Sequence, residues 1–292
     1  MWKTRLAVVV VAVGFAVGGL WLALPYLAPW MSPASDWEPV PIAGVQTECF
    51  AEDGWAFCLH RTANSDPKRL LVHLHGRRGN ERWWNDEEYY TGELYGHWER
   101  LGVSPPTVAS ISFGPLWLLK KSEGIKHFVS SVIPAVKKRL AAPDVELSVI
   151  GESMGGLNAL MLTAFAGEHL DRTAVLCAPI PTSSPYALGA SLSSAAESSV
   201  SFARAFMLLS FGRYFFRDHD DFVANDPLSG LAQGSLPRVY VTCGETDDWG
   251  CMPGSRSAVT RMKERGAEVE WHPRPGGHCD IDSESLARFL AR

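Results

Sequence analysis

The order of apolar and polar positions along the chain predicts strands that alternate with helices. Short apolar runs rich in β-branched residues are typical of strands, whereas apolar residues that recur every three or four positions are typical of helices. The predicted strands cover residues 46–50, 55–60, 69–75, 107–113, 147–150, 173–178, 238–243 and 268–273. The predicted helices cover residues 85–101, 125–140, 157–166 and 283–291.

Several of these strands are apolar along nearly their whole length. A strand has this composition when both of its faces are buried, so the pattern predicts an α/β fold with a mostly parallel central sheet flanked by helices. The first two strands are joined by Glu52-Asp53-Gly54 and predict a hairpin. In such sheets, functional residues lie at the C-terminal ends of the strands, so candidate chemistry is expected there.

The N-terminal part of the chain differs from the rest in composition. Residues 6–24 are 19 residues without a charge, close to the roughly 20 that a membrane-spanning helix needs. Lys3 and Arg5 precede this run, which favours an N-terminus inside and a main domain outside the cytoplasm. We therefore expect residues 1–31 to be an uncleaved signal-anchor or, alternatively, a cleaved signal peptide of a secreted or periplasmic protein, followed by a linker at 32–45. Aromatic residues suited to a membrane interface are Trp21, Tyr26 and Trp30.

The size and charge of the chain limit the number of domains and the kinds of partner that it can have. A chain of 292 residues, 46% apolar and 20% charged, is long enough for one large α/β domain, which we expect at 46–292. Residues 179–230 interrupt the alternation of strands and helices and predict an insertion, first rich in Ser, Ala and Pro and then aromatic. The net charge of -5 and the lack of a basic stripe argue against a nucleic-acid partner.

Six cysteines fit a compartment outside the cytoplasm, where disulfides persist. Four of them form two pairs that flank short turns and so predict two local disulfides. These pairs are Cys49 with Cys58 and Cys243 with Cys251, which leaves Cys177 and Cys279 over. Because six cysteines allow 15 pairings, other pairings and buried free thiols stay open.

A Gly-x-Ser-x-Gly motif lies between a predicted strand and a predicted helix, at Gly151-Glu152-Ser153-Met154-Gly155. A strand-to-helix turn this tight leaves no room for side chains at its two glycines. The turn would place the Ser153 hydroxyl at the helix N-terminus, where the helix dipole and free N–H groups favour negative charge. The alternative is a Gly/Ser loop that matches the motif by chance.

Candidate partners for the serine follow the last two predicted strands. His278 comes after the last strand, and Asp247 after the strand before it, with Asp248 and Glu245 as alternative acids. Ser, Asp, His is the chain order of the α/β-hydrolase triad. A histidine near neutral pH takes the proton of Ser153, and a carboxylate orients the imidazole and stabilises the imidazolium.

An oxyanion needs two N–H donors beside this serine. One is expected from Met154, which follows the nucleophile, and the other from the loop after the strand that ends at His75. The backbone N–H of Arg77 is the preferred donor in that loop, with Gly76 and Arg78 as alternatives. His75 is expected to brace the loop and not to catalyse.

Together these residues resemble the serine esterases of the α/β-hydrolase fold, and most of all the branch with esterase D-like, feruloyl and polyhydroxyalkanoate-depolymerase-type enzymes. The resemblance covers residues 46–292 and implies ester hydrolysis through an acyl-enzyme, without a metal or an organic cofactor. It also implies that residues 179–230 form a cap over the site, and a helix packed on the core is the alternative for the aromatic part of this insertion. Cys279 has no role in this pattern. The motifs that carry the resemblance are His75-Gly76-Arg77, Gly151-Glu152-Ser153-Met154-Gly155-Gly156, Gly244-Glu245-Thr246-Asp247 and Gly277-His278.

The expected substrate is a small-molecule ester or an ester of a carbohydrate or lipid. Acyl transfer to an alcohol, serine peptidase activity and a non-catalytic binding module of the same fold are the alternatives. Aromatic residues that either belong to the core or line the entrance are Trp83, Trp84, Tyr89 and Tyr90. Arg77 and Arg78 are either groups for an anionic substrate or solvated surface charges.

Overall fold

The computed structural model describes residues 19, 21–187, 189, 193 and 200–292. A single sheet of eight strands lies at its centre. The strands are β1 (Gln46–Glu52), β2 (Trp55–Arg61), β3 (Asp66–Leu74), β4 (Pro106–Ser112), β5 (Glu146–Glu152), β6 (Arg172–Leu176), β7 (Arg238–Gly244) and β8 (Val269–Arg274). Their order is β1-β2-β4-β3-β5-β6-β7-β8. Strand β2 runs antiparallel to both of its neighbours, and every pair from β4 to β8 is parallel.

Helices cover the sheet and connect its strands. They are α1 (Tyr90–Arg100), α2 (Ile133–Leu140), α3 (Met154–Ala166), α4 (Phe202–Phe215), α5 (His219–Ala224), α6 (Pro227–Gly230), α7 (Cys251–Glu264) and α8 (Ser283–Ala291). Two π-helical segments, Lys121–Ile125 and Phe128–Val132, precede α2, and a 3-10 turn, Gly167–His169, follows α3. Residues 21–30 are also helical and are called the N-terminal helix below.

The core lies on both faces of the sheet, as the apolar strands predict. Leu70 and Val72 belong to a cluster on one face, with α3 and α7, while Leu71 belongs to a cluster on the other face, with α1 and α8. Side chains alternate between faces along a strand, so one apolar strand supplies both clusters. The predicted mostly parallel α/β sheet is therefore confirmed.

Three predicted helices start at other positions in the structure, and the one predicted from residue 157 begins at Met154. The helix predicted from residue 85 begins at Tyr90, because the turn before it is held by Asp86 Oδ1, which accepts hydrogen bonds from the N–H groups of Val40 and Glu88. The helix predicted at 125–140 begins as π-helical turns, and Pro134 lies at the start of α2. Proline has no N–H to donate to the preceding turn, so the regular α-helix starts at its position.

The predicted disulfide between Cys49 and Cys58 is confirmed and joins two directly paired residues of the β1–β2 hairpin. The turn of this hairpin contains Gly54, whose φ of 79° is unfavourable for residues with a side chain. The structure holds two disulfides, which is typical of proteins outside the reducing cytoplasm.

The predicted disulfide between Cys243 and Cys251 is wrong. Both are buried free thiols, and the second disulfide joins Cys177 to Cys279. The Cys251 thiol instead donates a hydrogen bond to the carbonyl oxygen of Cys177 at 3.1 Å. The sequence suggested a local pair because the partners of the real bridge are 102 residues apart and meet only when the parallel strands align.

The predicted signal-anchor at 1–31 falls largely outside the described residues. Among those that are described, no helix is long and apolar enough to cross a membrane. The segment predicted as a linker, 32–45, makes hydrogen bonds to the main domain. Ile42 N–H donates to Asn85 Oδ1 at 3.0 Å, and Ser35 N–H donates to the carbonyl oxygen of Arg78 at 2.9 Å.

Two buried histidines predict a loss of stability in mild acid. Burial lowers the pKa of His60 to about 3 and that of His75 to about 4, whereas both titrate near 6.5 in an unfolded chain. As the pH falls from 7 to 5, the unfolded chain takes up protons that the folded protein does not. We therefore expect the free energy of unfolding to decrease by about 2 kcal/mol per histidine. Urea unfolding at both pH values measures this decrease, which should be smaller for His60→Gln; equal decreases in the two proteins would contradict the assignment.

Candidate active site

The Gly-x-Ser-x-Gly motif forms the predicted strand–turn–helix. Strand β5 ends at Glu152, α3 begins at Met154, and Ser153 lies between them with φ 54° and ψ -117°. This is a strained conformation for a residue with a side chain. A Cβ atom at Gly155 would overlap the carbonyl oxygen of Leu74, so this position requires glycine. The turn therefore holds the Ser153 side chain beyond the C-terminal end of the sheet.

Ser153, His278 and Asp247 are brought together from three separate loops. His278 Nδ1 lies 2.7 Å from Asp247 Oδ2, and His278 Nε2 lies 3.0 Å from Ser153 Oγ. The carboxylate can only accept, so Nδ1–H donates to Asp247, and Nε2 is left to accept the hydroxyl proton of Ser153. This chain of two hydrogen bonds is the arrangement that activates a serine.

The environment of Asp247 keeps its carboxylate charged. The side chain is fully buried, and Oδ1 accepts hydrogen bonds from the N–H groups of Trp249 at 2.8 Å and Cys251 at 3.4 Å. Burial alone raises the pKa of Asp247, but these bonds and the contact with His278 outweigh it, and the pKa lies below its usual value. The alternative acid, Asp248, is half exposed and pairs with Arg204.

The two expected oxyanion donors lie in segments that adjoin Ser153. Met154 is the first residue of α3, and N–H groups of the first helical turn have no acceptor within their helix. In the facing loop, Gly76 N–H donates to Glu152 Oε1 and Arg78 N–H donates to Pro115 O, each at 2.8 Å. Within the described residues, the Arg77 N–H between them has no acceptor. Of the three candidate amides, it is thus the one without a hydrogen-bond partner in the described protein.

Glu152 is a central residue of the site that the sequence analysis missed. Its side chain is 2% exposed. Oε1 accepts from Gly76 N–H, and Oε2 accepts from the Tyr90 hydroxyl at 3.1 Å and lies 3.0 Å from His73 Nε2. Burial, and then the nearby Glu152 charge, raise the pKa of Tyr90 well above its usual value. An acid at the end of an apolar strand was the available signal, because a buried carboxylate requires donors.

His75 braces the loop that contains Gly76. Its Nδ1–H donates to the carbonyl oxygen of Gly76 at 2.7 Å, and its Nε2 accepts from the Ser112 hydroxyl at 2.9 Å. Since both ring nitrogens are engaged and burial lowers its pKa to about 4, His75 stays neutral at physiological pH. These contacts agree with the expected bracing role.

Two clusters of possible metal ligands surround His278 in the described part of the chain. One contains Cys177 and Cys279, whose sulfurs are joined in the disulfide and cannot act as thiolates. The other contains Asp247 and Cys251, but Asp247 already pairs with His278, and burial raises the pKa of the Cys251 thiol well above its usual value. Neither cluster has the chemistry of a metal site.

A cavity of about 450 Å³ adjoins Ser153 and His278. Helix α4 of the predicted insertion lines it, and the expected entrance residues divide into two groups. Trp83 and Tyr89 line the cavity, whereas Trp84 and Tyr90 are buried in the domain. The apolar side chains that form its walls are Leu116, Leu118, Leu157, Ile180, Leu208, Leu209, Phe211, Phe215 and Phe216. An ester with an apolar acyl group would fit such walls.

Comparison with known proteins agrees with this fold. No family model and no curated protein matches the sequence. Among solved structures, the chain is similar to a ferulic acid esterase (13% identity, TM-score 0.60, covering 85% of this chain and 97% of that one). It is also similar to a thermostable esterase from Pseudomonas putida ECU1011 (15% identity, TM-score 0.60, coverage 92% and 86%). A third is a hyperthermophilic esterase from the archaeon Pyrobaculum calidifontis (15% identity, TM-score 0.60, coverage 93% and 89%).

These likenesses, together with the sheet order, define the α/β-hydrolase fold. The expected fold is therefore confirmed. At these identities the likeness concerns the fold alone, so the chemistry must be argued from the residues of this chain.

Proposed function

We propose that this protein is a serine carboxylic-ester hydrolase. The observation that carries the proposal is the pair of hydrogen bonds by which His278 links Ser153 to the buried carboxylate of Asp247, at 3.0 and 2.7 Å. The esterases among the similar structures favour the same chemistry. A non-catalytic binding module would not need a charged acid, a histidine and a serine in one hydrogen-bonded row.

In the first half of the proposed reaction, Ser153 Oγ bonds to the ester carbonyl carbon while its proton moves to His278 Nε2. The carbonyl oxygen becomes an oxyanion that accepts hydrogen bonds from the N–H groups of Met154 and Arg77. The tetrahedral intermediate then breaks the bond to the alcohol oxygen. His278 gives its proton to that oxygen, and an acyl-enzyme remains on Ser153.

In the second half, a water attacks the acyl carbon and gives a proton to His278. Collapse of the second intermediate breaks the bond to Ser153 Oγ, which recovers the proton, and the carboxylic acid leaves. Asp247 stabilises the imidazolium in both halves. If an alcohol replaces the water, the same site catalyses acyl transfer, and an amide substrate would make it a peptidase. Analysis of the products separates these alternatives.

We also propose that the catalytic domain works outside the cytoplasm, anchored by residues 1–31. The two disulfides fit an extracellular or periplasmic location, and the uncharged run at 6–24 supports the anchor. Cleavage of this segment would give a secreted or periplasmic form instead.

Replacement of Ser153 tests the proposed nucleophile. We expect the wild-type protein to hydrolyse p-nitrophenyl acetate and butyrate, and Ser153→Ala to lose about 10³-fold or more in kcat. Release of p-nitrophenol measures both rates, and thermal unfolding of the variant checks that it is folded. Equal rates in the two proteins would overturn the mechanism.

The two neighbouring acids, Asp247 and Asp248, provide a matched test of which carboxylate orients His278. Asp247→Asn removes the carboxylate that holds the His278 tautomer, and we expect kcat to fall by about 10³-fold or more. Asp248→Asn removes a half-exposed acid paired with Arg204 and should leave kcat within about threefold of wild type. A larger loss from Asp248→Asn than from Asp247→Asn would reverse the assignment.

The disulfide between Cys177 and Cys279 predicts an effect on the position of His278. It ties the loop that contains His278 to the residue after β6. We expect Cys177→Ser/Cys279→Ser to lower kcat by about tenfold or more, because small displacements of a catalytic group are costly.

The second disulfide of the protein provides the control for this variant. Cys49→Ser/Cys58→Ser removes the bridge of the β1–β2 hairpin, at the far edge of the sheet, and should lower stability with little change in kcat. Similar kcat losses in both double variants would mean that the bridges act through stability alone.

A further inference from the structure

The helix that lines the cavity is apolar on two sides. Leu208, Phe211 and Phe215 of α4 line the cavity next to Ser153. On the same helix, Phe202 is 83% exposed and Tyr214 is 44% exposed. Core packing accounts for the inner side chains but not for these outer ones. Helix α4 therefore lines the acyl cavity and also carries two exposed aromatic side chains, one near each of its ends.

The N-terminal helix lies against this part of the molecule. Its inner face is buried at Leu24 and Ala28. The guanidinium of Arg213, on α4, lies 4.0 Å from the ring centroid of Trp21. Arg77 Nη1–H, in the oxyanion loop, donates to the carbonyl oxygen of Met31, just after the helix, at 2.7 Å. The helix is thus held by both the wall of the cavity and the loop beside Ser153.

The outer face of the N-terminal helix is apolar as well. Leu22, Tyr26 and Trp30 are four residues apart, so they lie on one face, and they are 69%, 76% and 86% exposed. Residues 21–30 include no charged side chain. A helix that is apolar all round is normally buried, either in protein or in a membrane. The exposed apolar side chains of the two helices, Leu22, Tyr26, Trp30, Phe202 and Tyr214, are together called the outer face here.

We propose that this outer face rests in the surface of a lipid bilayer, and that the substrate is a lipid ester whose apolar acyl chain passes from the bilayer into the cavity. The bilayer is favoured over a protein partner because the uncharged run 6–24 continues directly into this helix. Tyr and Trp are also the residues enriched at the membrane interface. The substrate assignment rests on the proposed ester hydrolysis, whereas the bilayer contact does not.

The first experiment compares two esters with the full-length protein in phosphatidylcholine vesicles. One is a fluorogenic long-chain ester embedded in the vesicles, and the other is soluble p-nitrophenyl acetate. For Tyr26→Ser/Trp30→Ser, we expect kcat/KM for the embedded ester to fall about tenfold, because apolar contact with the bilayer is lost. The rate on the soluble ester should stay unchanged, since both side chains are more than three-quarters exposed.

Two further variants make the comparison specific. Tyr26→Phe/Trp30→Phe keeps large apolar rings at the same positions and should retain the wild-type rate on the embedded ester. Phe202→Ser changes the second element of the outer face and should lower that rate without affecting the soluble ester. An unchanged ratio of the two rates in both serine variants would overturn the proposal. So would an equal loss in the serine and phenylalanine double variants.

A measurement without catalysis separates the bilayer contact from the proposed function. In the inactive Ser153→Ala protein, brominated phosphatidylcholine should quench part of the tryptophan emission, and Trp30→Phe should remove part of the quenched fraction. If Trp30→Phe removes none of it, the outer face does not touch lipid. If Tyr26→Ser/Trp30→Ser instead converts a dimer to a monomer in the absence of vesicles, and Trp30 is not quenched, the outer face binds a second copy of the chain and the proposal fails.

Discussion

The close approach of the β5–α3 turn to the end of β3 is the constraint on which the site depends. Only glycine fits at Gly155, where any side chain would overlap the carbonyl oxygen of Leu74. The turn forces Ser153 to a positive φ, at a cost of about 1–3 kcal/mol. A hydrogen bond from Ser153 N–H to Leu176 O, at 2.9 Å, fixes the turn to the neighbouring strand. The packed sheet thus compensates for the strain and presents the hydroxyl in a single direction.

Glu152 connects this turn to the rest of the site. One oxygen of its carboxylate holds the loop next to the Arg77 N–H, through Gly76, while the other binds Tyr90 and His73. The nucleophile and its expected oxyanion donors are therefore positioned relative to each other by one buried side chain. Removing one of these hydrogen-bond partners would destabilise the folded protein, because the carboxylate has no access to water. This explains why an acid occupies the variable position of the motif.

Much of the fold could be predicted from the sequence because apolar strands and helical periodicity are local signals. The motif around Ser153 and the strand-end positions of Asp247 and His278 were also local, and the structure brings these three together. These local signals did not predict some of the contacts that join residues far apart in the sequence. The bridge between Cys177 and Cys279 depends on the alignment of β6 with the loop after β8, which no local pattern encodes. The hydrogen bonds of Glu152 depend on three separate elements in the same way.

The predicted insertion was ambiguous for a different physical reason. A helix rich in Phe and Leu gives the same pattern whether it packs on a core or covers a cavity, because both environments exclude water. Burial distinguishes the two cases: Phe211 of α4 is buried beside the cavity, while Phe202 is exposed. If this side of α4 faced water, its exposed aromatic side chains would gain no free energy from burial. The two-sided apolar character is understandable if water meets neither side of α4, with an acyl chain within and lipid outside.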